Sequence, residues 1–162
     1  MNKQQIYDYL NKAGLWHEIT EHKAVYTMAE LADVPTPYPE ADAKNLFLRD
    51  DRREHYYLIT VRGGKRVDLK SFRRAHGLRP LTFASEEELR RLLDLSPGSV
   101  TPLGILNDEA RQVTVFLDRD FWAPPGLIGV HPNENTATVW LKTEDLAALI
   151  RAHGTRLETA QL

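Results

Sequence analysis

A mixed α/β fold is predicted by three features of this sequence: β-rich runs joined by tight turns, short amphipathic helices set between them, and enough apolar residues for one core. The hairpins are short enough to be antiparallel, whereas a doubly wound parallel sheet would require long crossovers. With 162 residues, of which 42% are hydrophobic, the chain suits a single domain over residues 1–162.

From Lys3 to Ala13, the residues Ile6, Leu10 and Ala13 recur at helical spacing and Gly14 supplies a left-handed stop, so the chain opens on an amphipathic helix. A short extended piece follows around His17 to Glu21. Thr27-Met28-Ala29-Glu30 has capping-box spacing and predicts a second short helix. Pro35, Pro37 and Pro39 then interrupt regular structure through Asp42, because proline lacks a ladder donor and restricts the residue before it. Ala43 to Arg49 and Tyr56 to Val61 are β-rich and flank the charged turn Asp50-Asp51-Arg52-Arg53, which predicts a hairpin; Gly63-Gly64 allows another tight turn. Leu69, Phe72, Arg73 and His76, ended by Gly77, predict a short helix, and Ser85-Glu86-Glu87-Glu88 caps one carrying Leu89, Leu92 and Leu93. Strands are expected near Val113 to Asp118, Leu127 to His131 and Thr136 to Leu141, before a helix capped by Thr143 and stopped by Gly154.

Composition excludes several chemistries. The sequence has no cysteine, which removes disulfides, thiolate nucleophiles and cysteine-based zinc sites. Its six histidines, at 17, 22, 55, 76, 131 and 153, lack His-Glu-x-x-His spacing, so no metal is expected. Neither a Gly-x-Gly-x-x-Gly nor a Walker loop is present, and no cofactor is expected. No apolar run approaches the roughly 20 residues that span a bilayer. Met1-Asn2-Lys3-Gln4-Gln5 lacks the apolar core of a signal peptide, so a cytoplasmic protein without a membrane partner is expected. Net charge is −2, yet Arg62, Lys65, Arg66, Lys70, Arg73, Arg74 and Arg79 stand against Asp68 alone between positions 62 and 79, a local excess of 7 − 1 = +6. Such a segment suits either a phosphate backbone or a solvated face balanced by Glu86-Glu87-Glu88. No helix-turn-helix or zinc pattern accompanies it, which argues against DNA.

The segment Pro97-Gly98-Ser99-Val100-Thr101-Pro102 is a Gly-xxx-Pro loop. Glycine opens backbone angles closed to other residues and proline stiffens the exit, so such a loop either aims N–H groups at a developing negative oxygen or punctuates a connection. Ester hydrolysis needs a positioned water, a stabilised oxyanion and a proton for the leaving alkoxide. With no cysteine and no Gly-x-Ser-x-Gly elbow, covalent catalysis has little to build on. Lys44, among apolar neighbours on a predicted strand, is either a snorkelling lysine or a partner for a phosphate or polarised carbonyl. His131, followed by Pro132, lines a pocket or moves a proton. Asn45 and Asn107 either contact a nucleoside or satisfy turns.

The ordered segments Lys44-Asn45-Leu46-Phe47-Leu48, Tyr57-Leu58-Ile59, Val67-Asp68-Leu69-Lys70, Leu81-Thr82-Phe83-Ala84, Pro97 to Pro102, Asn107-Asp108 and His131-Pro132-Asn133 resemble the prolyl-tRNA synthetase editing-domain homologues. Within that family the chain is most similar to freestanding alanyl-tRNA(Pro) deacylases, from about Glu21 to Gly154. The resemblance implies a mixed, largely antiparallel, barrel-like sheet ringed by short helices, and hydrolysis of mischarged tRNA(Pro), with prolyl-tRNA synthetase as a further partner. It implies that Lys44 is the central functional side chain, that Gly98, Ser99, Val100, Thr101 and Pro102 lie at the scissile ester, and that His131 lines the amino-acid pocket. Asn45, Leu46, Asn107, Val25, Tyr26, Met28 and Leu31 are the remaining substrate-binding candidates, and Arg62, Lys65, Arg66, Lys70, Arg73 and Arg74 the tRNA-binding ones. Alanine is smaller than proline, so a pocket that holds a methyl group excludes the cognate ring. Branches that remove cysteine carry a different loop around the Gly-xxx-Pro element, so Ser99-Val100-Thr101 favours alanine; cysteine removal, or tRNA binding without catalysis, are the alternative readings.

Overall fold

The computed structural model of the protein describes residues 1–24, 34 and 36–162. The helix expected after Thr27 and the pocket walls Val25, Tyr26, Met28 and Leu31 fall outside these residues. The chain begins with α1 (Lys3–Lys12), where Asn2 and Gln5 form a reciprocal capping box and Gly14 takes a φ of +68° just beyond the end. Its apolar face buries Ile6 and Leu10 completely.

Two sheets follow. The smaller is antiparallel in the order β1 (His17–Glu21), β7 (Ala137–Lys142), β6 (Leu127–Val130). The larger has the order β4 (Leu81–Phe83), β2 (Ala43–Asp50), β3 (Tyr56–Arg62), β5 (Val113–Asp118), β8 (Leu157–Ala160). Within it β2 pairs antiparallel with β3 and β4, whereas β3–β5 and β5–β8 are parallel. Among the described residues the sheets do not close into a barrel: an isolated parallel bridge between Asp42 and Gly129 joins them.

The main core lies between the sheets and under three helices. Phe47, Leu58, Val115 and Leu117 from the larger sheet meet Ile128, Val130, Val139 and Leu141 from the smaller. Ile6 and Leu10 of α1, Leu89, Leu92 and Leu93 of α3 (Glu86–Leu93), and Leu146 and Ile150 of α4 (Thr143–Ala152) close it. A second core lies on the other face of the larger sheet, where Phe72 of α2 (Leu69–Ala75) packs on Leu48, Tyr57, Ile59 and Phe116.

Among the described residues the other expected helices and the hairpin are present, with differences in detail. Lys142, not Thr143, is the N-cap of α4 and makes no side-chain cap. The Thr143 hydroxyl instead donates to the Phe121 carbonyl at 2.7 Å, satisfying a buried pair. The sequence reading also assigned no strand to residues 157–160, where Leu157-Glu158-Thr159-Ala160 forms the parallel edge of the larger sheet.

Candidate functional site

Strand alternation builds the site on the face of the smaller sheet turned away from the main core. Val139 and Leu141 point inward on β7, so Thr138 and Trp140 point outward. Trp140 lies opposite Gly129 of β6, and a Cβ on that glycine would stand 2.3 Å from the indole, so only glycine admits the ring. The indole N–H donates to the Thr20 hydroxyl at 3.0 Å, and Tyr38 meets the ring edge-on at 5.7 Å. His22, just past β1, places Nε2 3.4 Å from the Thr138 hydroxyl.

Two residues beyond Gly129 stands His131, whose ring lies edge-on to His22 at 6.4 Å. Its Nδ1 lies 3.0 Å from the Ala137 carbonyl and must therefore donate, which leaves Nε2 as the bare nitrogen of the neutral ring. Burial pushes the His131 pKa down and His22 adds to the shift, against the Ala137 carbonyl and Asp42. The ring is therefore neutral at physiological pH.

Lys44 reaches this place through the junction of the sheets. Asp42 and Gly129 pair in parallel, so Lys44 and His131, each two residues further on, extend from the junction in the same direction. The Lys44 ammonium donates to the Lys65 carbonyl, a neutral acceptor, and so keeps its charge uncompensated there. Asp42 itself is half-buried, and burial raises its carboxyl pKa against the Ala43 N–H and His131. Its carboxylate lies 3.3 Å from where Gly63 would carry a Cβ, and the two line a hollow of about 300 Å³ with Glu40, Arg62, Gly64 and Lys65.

The Gly-xxx-Pro loop joins the same group from a third segment. Gly98 has a φ of +86°, a conformation that favours glycine, and its Cα faces the Asn135 amide. Thr101 is fully buried and donates its hydroxyl to the His131 carbonyl at 2.7 Å, tying the loop to the histidine. Pro102 begins a 3₁₀ turn (Pro102–Asn107), where its missing N–H costs nothing. Ser99 donates its N–H to the Ser96 carbonyl at 3.0 Å, so that backbone donor is committed. Among the described residues, the N–H groups of Gly98 and Val100 have no acceptor.

The loop and His131 are thus joined by a hydrogen bond, and Lys44 lies two residues along the strand that leaves the Asp42–Gly129 bridge, while other expected residues are engaged elsewhere. Leu46 packs in the second core against the far face of the larger sheet. Asn107 donates to the Leu93 carbonyl at 2.8 Å and accepts from the Met1 amine, so it braces the N-terminus. Asn45 accepts from the Thr60 hydroxyl at 2.6 Å across β2 and β3. Arg62 and Lys65 turn inward: Arg62 donates to the Asp120 carbonyl at 3.0 Å, and Lys65 lies 2.9 Å from the buried Asp118 and 2.6 Å from Asp120. The sequence reading missed Asp42, Thr138 and Trp140. The outward register of Thr138 and Trp140 is written in the alternation of Ala137 to Leu141, whereas Asp42 sits in a proline-rich loop without a period.

The aminoacyl-tRNA editing domain family matches this chain over residues 22–149. The chain is similar to the prolyl-tRNA editing protein ProX of Acetoanaerobium sticklandii, with 35% identity over 160 residues, covering 99% of this chain and 97% of that one. It is also similar to the mouse prolyl-tRNA synthetase associated domain-containing protein 1, at 31% identity over 85% of this chain and 82% of that protein. A crystal structure of a proposed trans-editing enzyme for prolyl tRNA synthetase shares the fold, with a TM-score of 0.72 and 24% identity over 99% of this chain and 96% of that one.

Proposed function

Because the chain belongs to the aminoacyl-tRNA editing domain family, we propose that it is a hydrolase that removes alanine from mischarged tRNA(Pro) in trans. The observation that supports this reading is the Thr101 hydroxyl fastening the Gly98 loop to His131, with Lys44 and His131 each two residues beyond the parallel Asp42–Gly129 bridge.

In this mechanism water attacks the ester carbonyl, and the electron pair moves onto the carbonyl oxygen. The N–H groups of Gly98 and Val100 are the candidate donors to that oxyanion, since Ser99 is already committed. Collapse breaks the bond to the ribose oxygen, which takes a proton and leaves as the free 3′ end; the neighbouring ribose hydroxyl orients the water. Lys44 holds the charge of the tRNA end or of the polarised carbonyl. Neutral His131 lines the pocket and accepts one hydrogen bond at Nε2. Selectivity rests on size: a pocket that holds a methyl group admits alanine and rejects the proline ring.

The test incubates the purified protein with Ala-tRNA(Pro), Cys-tRNA(Pro) and Pro-tRNA(Pro). Fast release of alanine alone is expected; faster release of cysteine would move the protein to another branch of the family, and no release from any substrate would leave a tRNA-binding module. Lys44→Ala should lower kcat/KM on Ala-tRNA(Pro) by about 10²-fold or more with an unchanged circular dichroism spectrum.

A further inference from the structure

The basic segment from Arg62 to Arg74 divides in two. Lys65 is paired with Asp118 and Asp120, the Arg62 guanidinium is held on the Asp120 backbone carbonyl, and Arg73 is half-buried with a guanidinium N–H 3.5 Å from the Leu78 carbonyl. Arg66, Lys70 and Arg74 are exposed. Lys70 and Arg74 are one turn apart on α2 and point away from Phe72, the residue that seats the helix on the sheet. Among the described residues, neither Arg66 nor Arg74 has a carboxylate partner, and Lys70 feels only Asp68, whose carboxylate is spent capping the helix.

This outward row also has a fixed place relative to the site. The carbonyl that accepts from the Lys44 ammonium belongs to Lys65, and Arg66 is the next residue. A nucleic acid whose 3′ end reaches Lys44 would therefore lay the phosphates beyond its single-stranded CCA along the chain leading into α2. Three exposed cations without a carboxylate partner, strung from Arg66 along the outer side of α2, suit the evenly spaced charges of a phosphodiester backbone.

We propose that Arg66, Lys70 and Arg74 form the track that holds the RNA stem behind the acylated 3′ end, while Arg62 and Lys65 are internal struts that touch no phosphate. The inference rests on the editing reading for its substrate, and the test separates the two. Three proteins are compared: the unaltered chain, the variant R66E/K70E/R74E, and K12E/K142E/R151E, which has the same change in net charge at exposed positions elsewhere. Each is assayed for deacylation of Ala-tRNA(Pro) and of an alanylated CCA trinucleotide, and for binding of uncharged tRNA(Pro) across a salt series.

The track variant should lose at least tenfold in kcat/KM on the full tRNA, keep its rate on the trinucleotide, and bind tRNA with a salt slope shallower by about one per cation removed. The charge-matched variant should stay within about twofold of the unaltered protein on all three measures. Equal losses in both variants, unchanged tRNA binding by the track variant, or an equal fall on the trinucleotide would each overturn the proposal. If the unaltered chain hydrolyses neither substrate, the editing reading fails while the binding series still decides the track.

Discussion

At the scale of single residues, the site depends on small groups held in place by larger ones. Gly129 is necessary because Trp140 lies flat against it, so Gly129→Ala should force the indole or β6 to move and cost about 1–3 kcal/mol. A lowered denaturant midpoint at constant m-value would report that cost; an unchanged midpoint would mean the ring is free to shift. Glu88 makes a separate prediction. Burial opposes its charge, yet hydrogen bonds from Tyr56 and Ser85 and the charge of Arg49 bring its pKa down to about 2. A carboxylate depressed on folding contributes stability that is fully present above its unfolded pKa near 4.5 and is lost as pH falls through its folded pKa. Glu88→Gln should thus weaken the protein at neutral pH and narrow its gap to the unaltered chain as pH falls from about 4.5 toward 2; a constant gap over that range would show that the charge contributes nothing.

At the scale of elements, helix signals were legible and sheet partners were not. The capping pairs Asn2 with Gln5 and Ser85 with Glu88, and the stop at Gly14, are local, and local chemistry is what a sequence displays. The parallel pairing of β3 with β5 and of β5 with β8 joins residues far apart in sequence, and the four-residue β8 offers too little period to announce itself. The charge run misled for a similar reason: nothing near Arg62 or Lys65 in the sequence reveals that Asp118 will pack against them. Because Asp118 is fully buried and accepts from Lys65, from the Arg62 N–H and from the Asp120 N–H, Lys65 is a structural clamp between β3 and the end of β5. Lys65→Ala should leave that carboxylate uncompensated and destabilise the fold by about 3 kcal/mol, read from the urea midpoint. Affinity for tRNA, measured below the unfolding transition, should barely change.

At the scale of the whole molecule, Lys44, the Gly98 loop and His131 were each visible as sequence motifs, but their meeting was not. They come from the larger sheet, from the connection after α3, and from the end of the smaller sheet. Only the tertiary arrangement ties the loop to His131 through Thr101 and sets the Asp42–Gly129 bridge two residues before Lys44 and His131, on a sheet whose inward side chains are apolar and whose outward ones include Thr138, Trp140 and His131. The second core under α2 does different work: it seats the helix whose outer side carries Lys70 and Arg74.

The Asp42–Gly129 bridge has an evolutionary corollary. Since one such link sets the phase between the halves, adding or deleting a single amino acid between Asp42 and Lys44, or between Gly129 and His131, would either break the bridge or turn the residues beyond it to the opposite face. Length variation among relatives should therefore collect in the hairpin tips and avoid these two short spacers.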